Sequence, residues 1–159
     1  MENEAIERRL RNLTDRADIS DLMSRYLHSL DEGVFDEDWA RAFHTEDVTA
    51  EWPIGSVHGR EALLEHVRGG MALFDRTVHM CTDAVIEVDG DQATVRGNQL
   101  STHVLADGSG SLFISAGQVS TELVRTAEGW RISATSLRVV WTQGTPPRLP
   151  TEPARKPAL

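Results

Sequence analysis

The sequence holds a single cysteine, Cys81, so an internal disulfide framework and a multi-cysteine zinc site are both excluded. Positive charge is scarce as well: 16 Lys plus Arg stand against 25 Asp plus Glu, a net charge of −9 over 159 residues. Such a surface is a poor track for nucleic acid phosphates or an anionic membrane, so neither is expected as a partner. No apolar run approaches the ~20 residues a membrane span needs. The opening Met-Glu-Asn-Glu-Ala has neither the basic start nor the apolar stretch of a signal peptide. A cytoplasmic location is the expectation. Walker loops, Gly-x-Gly-x-x-Gly, His-Glu-x-x-His and Gly-x-Ser-x-Gly are all missing. None of the six histidines pairs with another at metal-ligand spacing beside a matching carboxylate, so no metal site is expected.

What is present suits one domain with a sizeable core, since 40% of the residues are apolar. Residues 2–12 form a weakly amphipathic helix through Ile6, Leu10 and Leu13. Thr14 or Asp15 caps a second helix, whose stripe is Ile19, Leu22, Met23, Tyr26, Leu27 and Leu30 and whose stop is Gly33. A short helix capped by Asp36 follows, with Trp39, Ala42 and Phe43 on one face. Residues 47–58 contain Pro53 and Gly55 and read as an edge strand or short hairpin; 59–74 read as a helix weakened by Gly69 and Gly70. Four long Val-, Ile- and Thr-rich strands then occupy 77–88, 92–105, 111–126 and 130–141, joined by short glycine-bearing turns. The pattern predicts an α+β fold, with helices packed on one face of a curved antiparallel sheet. From Gly144 onward come five of the six prolines together with Arg155 and Lys156, so 1–143 is read as the domain and 144–159 as a tail outside the sheet.

Candidates for chemistry are polar residues where a core is expected. Tyr26 lies inside a helical apolar stripe, as a core aromatic or as a cavity hydroxyl. Asp31 closes that helix, against the unfavourable end of its dipole, so a fixed position there needs a partner. His79 opens a long strand. Strict alternation groups it with Cys81, Asp83, Val85 and Glu87, opposite the cleaner apolar face of Met80, Thr82, Ala84, Ile86 and Val88. It reaches an interior only if the strand carries a bulge or the other face is covered by a partner chain. His103 and Arg138 lie on later strands.

The order of these pieces resembles a SnoaL-like domain of the nuclear transport factor 2-like superfamily. The residues that carry the likeness are Asp18-Ile19-Ser20-Asp21-Leu22-Met23-Ser24-Arg25-Tyr26, then Asp31, Trp39 and Phe43-x-x-x-Asp47. Gly55-x-x-x-Gly59, Thr77-Val78-His79 and Val88-Asp89-Gly90-Asp91-Gln92-Ala93 complete it. The resemblance covers residues 5–142 and implies a cone of helices against a strongly curved antiparallel sheet, an α+β barrel. Its closest-looking branch holds bile acid 7-alpha dehydratase, scytalone dehydratase and hexachlorocyclohexane dehydrochlorinase. That branch implies Asp31 and His79 as an acid–base dyad and Tyr26 as hydroxyl donor. Trp52, Phe74, His103, Arg138 and Trp141 are expected around a hydrophobic polycyclic or polyketide-like substrate. Dehydration, isomerisation or cyclisation by such a dyad requires no cofactor. The alternative is a non-catalytic small-molecule binder or a structural subunit of a larger oxygenase. Apolar residues on both faces of the long strands further predict a homodimer or homotrimer.

Overall fold

The computed structural model describes residues 1–53 and 55–147. Three helices and six strands follow in the order α1 (Glu2–Glu32), α2 (Glu37–Phe43), β1 (His44–Trp52), β2 (Gly55–His58), α3 (Arg60–Met71), β3 (Phe74–Asp89), β4 (Gln92–Leu105), β5 (Leu112–Thr126) and β6 (Gly129–Gly144). The expected break near residue 14 is absent. The Thr14 hydroxyl donates back to the Leu10 carbonyl inside one continuous 31-residue helix rather than capping a new one. Gly33 ends α1 in the left-handed region and donates its N–H to the Ser29 carbonyl. Asp36 caps α2 by accepting from the Trp39 N–H, but the buried alanine of that helix is Ala40; Ala42 is exposed.

The strands form one sheet in the order β2-β1-β6-β5-β4-β3. Strands β3 to β6 are the expected antiparallel meander, and β2 closes a hairpin on β1. The sheet is nevertheless mixed, because β1 runs parallel to β6. It is also not a closed barrel: β2 and β3 remain as its two edges. The core of Ile19, Leu22, Leu63, Val48, Leu123 and Ile132 lies between the helices and the inner face of the sheet. Asp15 fastens α1 to the far end of the meander. Its carboxylate accepts from Arg125 Nη2 at 2.8 Å and faces Trp130 Nε1 at 3.4 Å, while Arg125 lies 4.5 Å over the Trp130 ring.

Bulges decide which side chains of the sheet face the helices. In β3, Thr82 pairs with Asn98 and Val85 with Arg96, so Asp83 and Ala84 together oppose the single residue Gly97. Before this extra residue Thr77, His79 and Cys81 point inward; after it Ile86 and Val88 do. The polar face assigned by strict alternation is therefore the inner face where it matters. A second shift, between the Ala116–Trp141 and Gly117–Val139 pairs, inserts Val140 into β6. Leu137 and Val139 point inward, and the insertion turns Trp141 outward. No helix among the described residues is long and apolar enough to cross a membrane.

Candidate functional site

Asp31 sits in the last turn of α1, where the helix crosses the beginning of β3. Three donors converge on its carboxylate. The Thr77 hydroxyl donates to Oδ1 at 2.8 Å, the His79 backbone N–H to Oδ2 at 3.1 Å, and His79 Nδ1 lies 2.7 Å from Oδ1. These bonds supply the partner that a carboxylate at a helix C-terminus lacks. Burial pushes the Asp31 carboxyl up, but the His79 ring, the His79 N–H and the Thr77 hydroxyl outweigh it, and the acid rests below its usual range. An ionised carboxylate can only accept, so Nδ1 carries the imidazole proton. In the neutral ring the lone pair is then on Nε2, which has no hydrogen-bond partner among the described residues. The His79 side chain is 7% exposed and that of Asp31 22%.

The register surrounds this imidazole with inward-facing neighbours. His79 pairs with Ser101, Ser101 with Ser115, and Ser115 with Thr142, so three hydroxyls on β4, β5 and β6 continue the row from the imidazole. Beside it run Thr77, His103 and Phe113. His103 lies 5.3 Å from His79 between ring centroids and 4.3 Å from Phe74. Its Nδ1 donates to the Phe113 carbonyl at 3.0 Å, and burial pulls its pKa below the ordinary histidine value against that bond. Ser101 and Ser115 escaped the sequence reading; both share strand parity with inward residues, and that parity was the available signal. Cys81 is the next inward residue of β3. Burial, then the nearby Asp83 charge, push its thiol up, so it stays protonated.

The other expected site residues part company here. Tyr26 is buried in a box of rings, 5.5 Å from Phe43, 5.4 Å from His44 and 6.2 Å from Trp39, and its hydroxyl is not among the hydrogen-bond partners of Asp31 or His79. Burial pushes its phenol up to about 12. Trp52 stacks on His66 of α3 at 4.7 Å. Arg138 and Trp141 lie on the outer face of the sheet, where Arg138 donates to Gln118 Oε1. Two of the five expected binding residues, Phe74 and His103, thus adjoin the dyad.

A groove of about 510 Å³ opens between the C-terminal ends of α1 and α3 and the start of β3. Leu30, Phe35, Met71 and Phe74 give it apolar walls; Asp31 and Thr77 form its polar end, and Arg68 and Arg76 stand at its rim. His79 does not line it, so the groove meets the dyad through Asp31, Thr77 and Phe74.

Three solved structures place this architecture. A Novosphingobium aromaticivorans protein bearing a provisional scytalone dehydratase designation is 25% identical, covers 91% of this chain and 97% of its own, and superposes with a TM-score of 0.77. A nuclear transport factor 2-like superfamily protein from Salmonella enterica shares the fold at 21% identity and a TM-score of 0.75, over 80% of this chain and 92% of its own. A type 2 hexachlorocyclohexane dehydrochlorinase does so at 24% and 0.74, over 91% and 98%. Residues 11–136, most of the sequence, match the SnoaL-like domain, and the chain belongs to that family.

Proposed function

We propose that the protein is an acid–base enzyme of the dehydratase, isomerase or cyclase type, acting on a hydrophobic small molecule bearing a carbonyl or similar activating group. One observation carries this reading: the Asp31–His79 pair at 2.7 Å, with Nδ1 tied to the carboxylate and Nε2 unpaired. A fixed tautomer with an ionised neighbour is what a general base needs, since the carboxylate offsets the charge that develops on the ring. His79 Nε2 takes a proton from the carbon next to the carbonyl, and the C–H electron pair moves into a new double bond. In a dehydration that shift expels a hydroxyl, which leaves as water once a second group protonates it. Tyr26, whose phenol burial keeps protonated, is assigned that role, and His103, Ser101 and Ser115 orient the substrate oxygens. The provisional dehydratase designation of a 25% identical relative supports the same class.

The test is turnover and solvent deuterium exchange with a panel of aromatic and polyketide-like hydroxy-ketones. His79→Ala and Asp31→Asn are expected to lose at least 100-fold in both assays, the low end of the ~10²–10⁴-fold typical of positioned proton transfer. Full exchange in both variants would overturn the mechanism and leave the pair as a tie between α1 and β3.

A further inference from the structure

Ser101 stands directly across the β3–β4 ladder from His79 and is 3% exposed. Directly opposite residues hold their Cβ atoms about 4.5–5.5 Å apart, so hydroxyl and imidazole share one patch of the inner face. Gln99, two residues earlier on β4, points the same way, and its Nε2 donates to Ser101 Oγ at 3.1 Å. That is the hydroxyl's one hydrogen bond among the described residues. An amide N–H can only donate, so Ser101 Oγ accepts here and keeps its own proton uncommitted. A buried O–H without an acceptor is costly, and a site built to bind supplies the acceptor from its ligand. His79 Nε2 has the opposite need. With Nδ1–H held by Asp31, the neutral ring presents a lone pair that nothing meets. An unmet acceptor beside an unmet donor is the outline of a carbon acid: a C–H for the imidazole and, two bonds from that carbon, a carbonyl oxygen for the hydroxyl.

We propose that Ser101 donates to the oxygen of the enolate formed when His79 removes the neighbouring proton, and that Gln99 is the positioning residue that keeps this hydroxyl free to do so. The proposal deepens the acid–base reading above and rests on it. It narrows the substrate class to carbonyl compounds with a hydrogen on the adjacent carbon, rather than molecules that eliminate from an unactivated one. As Nε2 takes the proton, the C–H pair becomes the new C–C π bond and the carbonyl π pair moves to oxygen. The Ser101 proton stays on Oγ throughout and binds that oxygen more strongly as it gains charge, which lowers the barrier. The enolate then returns its pair and expels the leaving hydroxyl. The neighbouring groups are less suited. Thr77 commits its hydroxyl to Asp31. His103 spends its Nδ1–H on the Phe113 carbonyl and burial favours its neutral ring, so its other nitrogen accepts. Ser115 lies one strand further from His79, about 4.8 Å beyond Ser101.

Deuterium exchange and turnover with the hydroxy-ketones above, and binding of para-nitrophenolate as a mimic of the enolate oxygen, test it. Ser101→Ala is expected to lower exchange and kcat about 100-fold, the cost of one oxyanion donor, and to bind the phenolate about tenfold more weakly. Ser101→Cys, with only a weak S–H donor, carries the same expectation if Ser101→Ala does not fold. Gln99→Met should lower kcat about five- to tenfold with KM unchanged. Gln99→Glu is the sharper variant. A carboxylate of the same shape takes the Ser101 proton instead of donating to its oxygen, so its loss should exceed that of Gln99→Met and approach that of Ser101→Ala. A scaffold role for Gln99 predicts the reverse order, and finding that order overturns its assignment. Wild-type exchange in Ser101→Ala, with His79→Ala inactive, overturns the enolate donor and leaves the base in place. Equal phenolate binding by wild type and Ser101→Ala overturns it too, even where no ketone of the panel turns over. Full exchange in His79→Ala would instead overturn the acid–base reading beneath both.

Discussion

A Cβ added to Gly97 would lie 2.6 Å from Cys81 Sγ and 3.1 Å from the Thr82 carbonyl oxygen. The empty position at Gly97 is what lets the β3 bulge press against β4, and that bulge aims His79 at Asp31. A thiol can rotate aside; a carbonyl in a paired strand cannot. Gly97→Val is therefore expected to cost about 1–3 kcal/mol by urea denaturation. Removing the nearest obstacle should recover part of it, so Gly97→Ala combined with Cys81→Ala should be less destabilised than the sum of the single changes. Strict additivity would show that the clash is with the backbone alone.

This relationship also explains how much of the molecule was legible in advance. The meander, the β1–β2 hairpin and the core stripe of α1 follow from periodicity and turn residues, which are local. The faces of β3 and β6 are not local, because one extra residue in a strand inverts everything beyond it. Each inversion left a mark in the opposing strand: Gly97 faces the β3 bulge, and Gly117 faces the β6 bulge, where an added Cβ would strike the Arg138 carbonyl. Glycine inside a strand is the signal of a close backbone approach, and with both glycines counted the outward turn of Trp141 is readable. The parallel pairing of β1 with β6 had no such mark, because it joins segments about 85 positions apart without a turn between them.

Thr77 offers a graded test of the dyad. Its hydroxyl donates to the same Oδ1 that faces His79 Nδ1, so it positions the carboxylate without reaching the imidazole. Thr77→Val is expected to lower kcat about five- to tenfold, the equivalent of one hydrogen bond of about 1 kcal/mol, with KM unchanged. Thr77→Ser should restore it. An unchanged kcat in Thr77→Val would show that Asp31 is held by the His79 N–H and ring alone.

Two acid-sensitive stages of stability are expected. His44 is buried among Tyr26, Trp39 and Phe43, its Nδ1 donates to the Ala40 carbonyl, and its Nε2 has no partner. Burial pulls it from 6.5 down to about 4, so below pH 6.5 the unfolded chain binds a proton that the folded chain refuses. Stability should fall from pH 6.5 to about 4 by up to about 3 kcal/mol, since each pKa unit is worth about 1.4 kcal/mol. Asp15 and Asp31 act later. Both sit below the usual 3.8, so their contribution is complete above that value and disappears only as the pH drops beneath it. Denaturation midpoints measured at several pH values separate the stages, and His44→Phe should flatten the first while sparing the second.

Asp15 ties α1 to the β5–β6 end through two side chains, Arg125 and Trp130. Asp15→Ala strands the Arg125 guanidinium and the Trp130 indole N–H together, and a loss of about 1.5–3 kcal/mol is expected for hydrogen bonds to a charged group in a partly buried place. Arg125 retains Asp91 at 2.9 Å, which keeps the figure at the lower end. A chemical denaturation series checks this, and the variant should leave the Asp31–His79 pair and its activity intact because about four turns of α1 separate the two clusters.

Tyr26 separates two roles that one ring can fill. Its edge and face contacts to Phe43, His44 and Trp39 survive in Tyr26→Phe, so folding stability should change by less than about 1 kcal/mol. A proton donor, by contrast, disappears completely. If the phenol protonates the departing group, kcat should fall about 100-fold for a substrate that loses hydroxide, and the deficit should shrink for one with a better leaving group that needs no proton. Deuterium exchange, which asks only for the base, should continue near the wild-type rate. Parallel loss of exchange and elimination would instead assign Tyr26 to the enolate oxygen, ahead of the bond-breaking step.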